Sequence, residues 1–240
     1  MSAARASERV EAQVRAVLDG VVERVLGPVA AVREAALARF EEARSQGVAV
    51  RRDDLHALRE PLQELLLADD CVPVGLGVIV APSVVDEQPL FLEWWQRGPG
   101  TSPPTRLEVD LNTHSVGFYD YVVAPWYAVP RRTRLQHVVG PYVDVHGTDR
   151  YVLTFTQPVL SDDDFLGVAG ADVPVGRFES LVLHELGDLP AEVVVVGDDD
   201  RVVLSTSSRW LVGSLRHDAD SGATPLPGLP WRLLTWPTRH

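Results

Sequence analysis

The stretch 137-HVVGPYVDVHGTDRYVLTFTQPVLSDDDFLGVAGADV-173 is three apolar runs separated by two short polar clusters, His146-Gly147-Thr148-Asp149 and Ser161-Asp162-Asp163-Asp164. Runs this rich in Val, Tyr, Phe and Thr are strands, and Gly/Asp/Ser clusters of that length are hairpin turns. Three strands in succession joined by tight turns predict an antiparallel meander.

Working outward, VGRFESLVLHEL (175–186) reads as a helix, AEVVVVGDDDRVVLSTS (191–207) as a second hairpin and PWRLLTW (230–236) as a short closing strand. Toward the N-terminus, VPVGLGVIVAP (72–82) and PLFLEWWQR (89–97) read as strands joined by a short polar turn, and RLEVDL (106–111) as a weaker one. Before them, DDLHALREPLQELLLADD (53–70) carries Leu55, Leu58, Leu62, Leu65 and Leu66 on one helical face, with Asp53 and Asp54 at its start and a bend expected at Pro61.

From Ser7 to about Ser45, Val10, Val14, Val17, Val21, Val25, Val29, Val32, Ala36 and Phe40 recur at helical spacing. Pro28 is expected to kink or divide this helix. Two uses are open to its valine stripe: packing within the chain, or a homodimer seam. Helices first, then antiparallel strands, a linking helix and a smaller set of strands make the chain α+β. The expected division is 1–52 helical, 53–175 the main sheet domain, and 176–240 a linking helix with a reduced second module.

Composition narrows the function. The 240 residues carry a formal charge of −12, with 45% hydrophobic and 23% charged residues. That acidity repels phosphate and argues against nucleic acid or an anionic membrane as partner. The single cysteine, Cys71, rules out an internal disulfide and a multi-cysteine metal site. No apolar run is long enough for a signal peptide or a spanning helix. A soluble cytoplasmic protein is expected. Phosphate-binding loops, a Gly-x-Ser-x-Gly elbow and a His-Glu-x-x-His pair are missing from the sequence, so neither cofactor nor metal is expected.

One segment remains to be explained. Residues 117-GFYDYVVAPWYAVP-130 hold Phe118, Tyr119, Tyr121, Trp126 and Tyr127 with Asp120 and two prolines. That is too apolar for an ordinary loop and too polar and proline-rich for a core strand. Here a family resemblance enters. Trp126-Tyr127, then Gly140-Pro-Tyr-Val-Asp144, then YVLTFTQPV (151–159) and FLGVAGADV (165–173) stand in an order that resembles the ligand-binding half of the Cache sensor domains, which are PAS-like. The tail from Val193, with PWRLLTW, resembles a reduced second module of a double Cache arrangement.

The resemblance implies a PAS-like antiparallel sheet, a sensor of a small molecule and no enzymatic role. It implies that Asp172 faces a ligand's amino group. Asp144 points the same way, toward a cationic or hydrogen-bond-donating guest, and Trp126, Tyr127, Tyr119, Tyr121 and Tyr142 supply rings and hydroxyls around it. In amino-acid-sensing members an Arg two residues before the Trp clamps the ligand carboxylate; here Ala124 stands there. Aromatic faces and carboxylates without that Arg suit an ammonium group. Arg131, Arg132 and Arg134 are close enough in sequence to supply an anion clamp from another side, which keeps an amino acid or organic acid in play.

In Glu93-Trp94-Trp95, alternation sends the two indoles to opposite faces, one to the site and one to the core. The residues do not decide which, and Trp95 is carried in the candidate set. Plain structural readings stand beside these: Trp126 and Tyr127 plugging a sheet edge, Asp144 serving a turn, Asp172 capping the next segment. Two further readings of the whole are an enzyme using Asp144 or Asp172 as acid or base, and an adaptor with a degenerate pocket. Expected partners are a small molecule, a second copy through the N-terminal helices and a separate regulator protein.

Overall fold

A computed structural model describes residues 3–98, 100, 102–145, 149–216 and 222–237. Helix α1 (Ala3–Ser45) is followed by the short α2 (Arg52–His56) and α3 (Arg59–Leu67). Strands β1 (Gly75–Val80), β2 (Phe91–Gln96) and β3 (Thr105–Arg106) precede a 3₁₀ turn at Tyr121–Val123 and helix α4 (Pro125–Thr133). The meander is β4 (His137–Val143), β5 (Tyr151–Ser161) and β6 (Asp164–Pro174), and α5 (Val175–Leu186) leads to β7 (Ala191–Gly197), β8 (Val202–Ser205), β9 (Thr224–Leu226) and β10 (Trp231–Pro237). The expected turn at 146–149 lies, except for Asp149, outside the described residues.

Two antiparallel sheets result, one of six strands in the order β3-β2-β1-β6-β5-β4 and one of four in the order β8-β7-β10-β9. The fold is α+β, with a long N-terminal helix, a PAS-like sheet and a smaller C-terminal module. One apolar core joins them: Val25 and Val32 of α1, Phe155 of β5, Phe178 of α5 and Trp231 of β10 belong to a single buried cluster. It spans all three segments expected from the sequence.

Helix α1 is not divided at Pro28. A proline inside a helix costs about 3 kcal/mol. Val25, Val29 and Val32, all buried around it, each contribute about 1.5–3 kcal/mol on burial, so packing wins. The same burial answers the question of the stripe. Val10, Val14, Val21 and Phe40 are covered within the chain, and the stripe is not open to serve as a dimer seam. The second leucine-rich segment breaks at Ala57–Leu58, and Pro61 sits in the first turn of α3, where its missing N–H costs little.

RLEVDL does not form the expected strand. Only Thr105 and Arg106 pair with β2; Leu107, Val109 and Leu111 continue as irregular chain packed beneath the aromatic segment. The 117–130 segment is itself a turn and a helix, with Pro125 at a helix N-terminus, a position that tolerates its fixed φ.

Candidate functional site

Strict alternation sorts the six-stranded sheet into two faces. Leu76, Val78, Phe91, Trp95, Phe155, Ala169 and Ala171 face the helices. Ile79, Leu92, Trp94 and Val168 face the other way, into a second apolar cluster with Tyr121, Trp126 and Tyr127. Thr154, Thr156 and Asp172 fall on this second face by the same parity.

Strand β4 needs a correction to join it. Its register shifts between Val139 and Tyr142, and the extra residue returns the Tyr142 side chain to the face that Val139 shares. Gly140 makes the bulge feasible: its φ is 119°, and a Cβ there would stand 2.6 Å from the Val152 carbonyl oxygen.

A cavity opens on this face. Ile79, Leu92, Trp94, Thr154, Thr156 and Asp172 form its floor, and Leu107, Tyr119, Trp126, Tyr142 and Asp144 close it. Its free volume is about 20 Å³, room for roughly one water. Tyr119, Trp126, Tyr142 and Asp144 also line a groove of about 590 Å³ immediately outside, walled by Phe118, Ala124 and Val143. Helix α4 is fixed over the floor by the Thr156 hydroxyl, which donates to the Trp126 carbonyl at 2.9 Å.

The polar core of the site is a chain of hydroxyls ending on a carboxyl. Thr154 Oγ1 donates to Asp172 Oδ1 at 2.7 Å, and Tyr142 Oη lies 2.8 Å from Thr154 Oγ1. Thr154 has one hydrogen and spends it on Asp172, so Tyr142 is the donor in the second bond. Burial pushes the Asp172 carboxyl up to about 7, aided by the Asp144 charge and opposed by the Thr154 bond and by Arg150. Burial likewise raises the phenols of Tyr119 and Tyr142, with Asp144 and Asp172 adding to it, so both remain neutral donors. Among the described residues that line the cavity and groove, every charged one is an acid: Asp120, Asp144 and Asp172.

The structure brings together Tyr119, Trp126, Tyr142, Asp144 and Asp172 from the expected set. Three others lie elsewhere. Trp95 is on the helix face, where its Nε1 donates to Glu93 Oε1 at 2.7 Å. Tyr121 is fully buried, its hydroxyl donating to the Val80 carbonyl at 2.7 Å and accepting from the Phe91 N–H. Tyr127 is buried edge-on against Trp126 and Phe165, and burial pushes its phenol up to about 12.

Arg131, Arg132 and Arg134 are exposed at the end of α4; Arg134 stacks over Phe165, and none lines the cavity. No anion clamp comes from that side. Sequence reasoning left Trp94 and Trp95 as alternatives and carried the wrong one, and it missed Thr154 and Thr156. The TFT alternation in β5 held the signal for both threonines.

Residues 103–180 match the family model of the methyl-accepting chemotaxis protein-like, first PDC sensor domain. Solved structures resemble the chain over nearly its whole length. Methyl-accepting Chemotaxis protein X matches with a TM-score of 0.66 at 15% identity, over 96% of this chain and 97% of that one. The ligand-binding domain of the Pseudomonas aeruginosa PAO1 amino acid chemoreceptor PctC, in complex with GABA, matches with a TM-score of 0.54 at 16% identity, over 94% and 93%. That of the Pseudomonas fluorescens chemoreceptor CtaA, in complex with L-valine, matches at 0.54 and 15%, over 97% and 96%. At these identities the likeness is one of fold. No curated protein matches the sequence significantly.

Proposed function

We propose that the chain is a small-molecule-binding sensor domain whose ligand carries an amine. The observation that carries this reading is Asp172, a buried carboxyl held by one hydroxyl at the floor of an aromatic cavity whose charged lining residues are acids. An ammonium there gains a carboxylate partner and the ring faces of Trp126 and Tyr142, each worth about 0.5–2 kcal/mol. The family match over residues 103–180 and the likeness to chemoreceptor ligand-binding domains support a sensing role over an enzymatic one. GABA and L-valine, held in complex by two of those domains, both carry an amino group. They also carry a carboxylate, and among the described residues that line this cavity none is basic.

Signalling follows from the fold. The face opposite the site packs on α1 and shares strands β1, β5 and β6 with it. A ligand that draws α4 toward the floor biases the seating of α1, through which a regulator protein or a second copy would sense occupancy. Residence in the cytoplasm belongs to the same proposal and is checked by fractionation of cells producing the native protein.

A thermal-shift screen of amines and amino acids tests the reading. A saturable stabiliser is expected, and Asp172→Asn or Trp126→Ala should abolish its effect while the variant stays folded. A probe consumed instead of retained would make the protein an enzyme with Asp172 as its base. Stabilisation that survives both substitutions would place the ligand elsewhere.

A further inference from the structure

Trp94 is the large residue on the cavity floor, and its placement depends on three residues that have no side chain. A Cβ on Gly77 would stand 2.7 Å from the Trp94 Cα and 3.0 Å from its ring atom Cε3. One on Gly170 would stand 3.4 Å from Cη2 at the far side of the same ring. One on Gly75 would stand 3.0 Å from Nε1. Gly77 and Gly170 are directly paired across β1 and β6, and Gly75 pairs with Asp172. The indole therefore lies flat over a strip of bare backbone, reaching from β2 across β1 to β6. Any larger residue at these positions would lift it off the sheet.

The strip carries the indole N–H to a particular place. The Cβ position of Gly75 that lies 3.0 Å from Trp94 Nε1 lies 3.2 Å from Asp172 Oδ2. The donor and the acid thus flank one bare Cα. Trp94 Nε1 is buried and has no hydrogen-bond partner among the described residues. Its neighbour in sequence is the contrast: Trp95 Nε1 is satisfied by Glu93. A buried donor left unpaired costs about 1–3 kcal/mol, a cost that a ligand acceptor at this corner would remove.

We propose that Trp94 is a specificity-determining ligand contact, its indole N–H donating to a neutral acceptor that the ligand carries beside the amine facing Asp172. This rests on the amine reading above and narrows it. The acceptor is neutral because a carboxylate oxygen at Trp94 would stand beside the Asp172 carboxyl, whereas Arg150, whose charge reaches Asp172, donates to the Arg97 carbonyl and does not line the cavity. The ligand class is then an amino alcohol or an amino amide. An amine without an acceptor leaves the N–H unpaired, and a free α-amino acid brings a charge the corner does not balance.

Four probes that share one carbon frame separate the cases: isopropylamine, 2-aminopropan-1-ol, L-alaninamide and L-alanine. Calorimetric titration of the wild-type protein at pH 8 should show the alcohol and the amide binding about tenfold more tightly than isopropylamine, with L-alanine weakest. In Trp94→Phe the tenfold preference should vanish, the alcohol and the amide falling to the affinity that isopropylamine shows for the same variant. In Gly75→Ala, which puts a methyl into the corner, the alcohol and amide should lose more than isopropylamine does.

A readout on the wild-type protein covers the case in which a variant misfolds. The Trp94 indole N–H proton resonance should move downfield with L-alaninamide and stay in place with isopropylamine. Isopropylamine bound as tightly as the amide, or an indole resonance indifferent to both, overturns the role of Trp94 and leaves the amine pocket standing. Failure of all four probes to bind overturns the amine reading and this inference with it.

Discussion

Two acids are buried on opposite faces of the same sheet, and they are treated differently. Glu93, on the helix face, is 1% exposed and receives His56 Nδ1 at 2.7 Å, Trp95 Nε1 at 2.7 Å and Arg106 Nε at 3.2 Å. Arg52 Nε donates to His56 Nε2, so the His56 ring donates to Glu93 through Nδ1. Asp172, on the other face, is 4% exposed and receives the Thr154 hydroxyl. The adjacent indoles repeat the pattern, one N–H satisfied and one not. A buried polar group with all its partners supplied from within is architecture. On the amine reading, a buried polar group left short of partners beside a cavity is the one that a guest would satisfy.

That contrast can be broken at several points. The largest effect is expected at Glu93→Gln, which turns an amide toward three donors and should cost about 3–5 kcal/mol of stability. For a chain of this size that is on the order of 6–20 °C in melting temperature by calorimetry. Amine affinity, measured on the folded fraction, should be unchanged. If Glu93→Gln removed binding and left stability intact, the two faces would have been assigned the wrong way round.

Asp172→Asn should do the reverse, abolishing amine binding while stabilising the unliganded protein. The folded pKa of Asp172, about 7, lies above the unfolded value, so its contribution is present below about pH 4 and is lost as pH rises toward 7. The variant loses nothing over that window. Its stability advantage should grow from pH 4 to pH 7, level off above, and reach on the order of 2–4 kcal/mol in denaturant titrations. The same titration governs binding in the wild type. Isopropylamine needs the ionised carboxyl, so its affinity should fall about tenfold from pH 8 to pH 6.

The smallest effect sharpens the comparison most. Trp95→Phe and Trp94→Phe remove the same indole N–H from neighbouring positions. Trp95→Phe takes a donor from Glu93 and should be the more destabilising by about 1 kcal/mol in the unliganded protein. Equal losses in chemical denaturation would mean that Trp94 has a partner of its own.

Much of this was legible in the residues. The meander at 137–173, the linking helix and the second hairpin follow from period and turn composition, and Tyr119, Trp126, Tyr142, Asp144 and Asp172 do meet at one cavity. Trp94 and Trp95 mark where legibility stops. Alternation gives the parity of a strand but not its direction, and only the seating of α2 and α3 over Phe91 and Trp95 decides which indole is inside. Tyr121 and Tyr127 mislead for a related reason. A segment that closes a cavity needs its own small core, and these two rings supply it. RLEVDL alternates correctly but lacks a neighbour: β2 offers pairing to two residues, and the rest turns under the aromatic segment.

Helix α1 touches both sheets along its length. Near its start Ser7 lies 3.1 Å from the Thr235 hydroxyl of β10, and near its end Arg44 reaches Asp162 at the β5–β6 hairpin. A rod of 43 residues is about 65 Å long at the ordinary helical rise. Pivoted near one end, it carries its opposite tip through about 1 Å for each degree of tilt. On the sensing reading, a rearrangement too slight to notice beside Asp172 would arrive, magnified, at whichever tip of the lever gave up its tie.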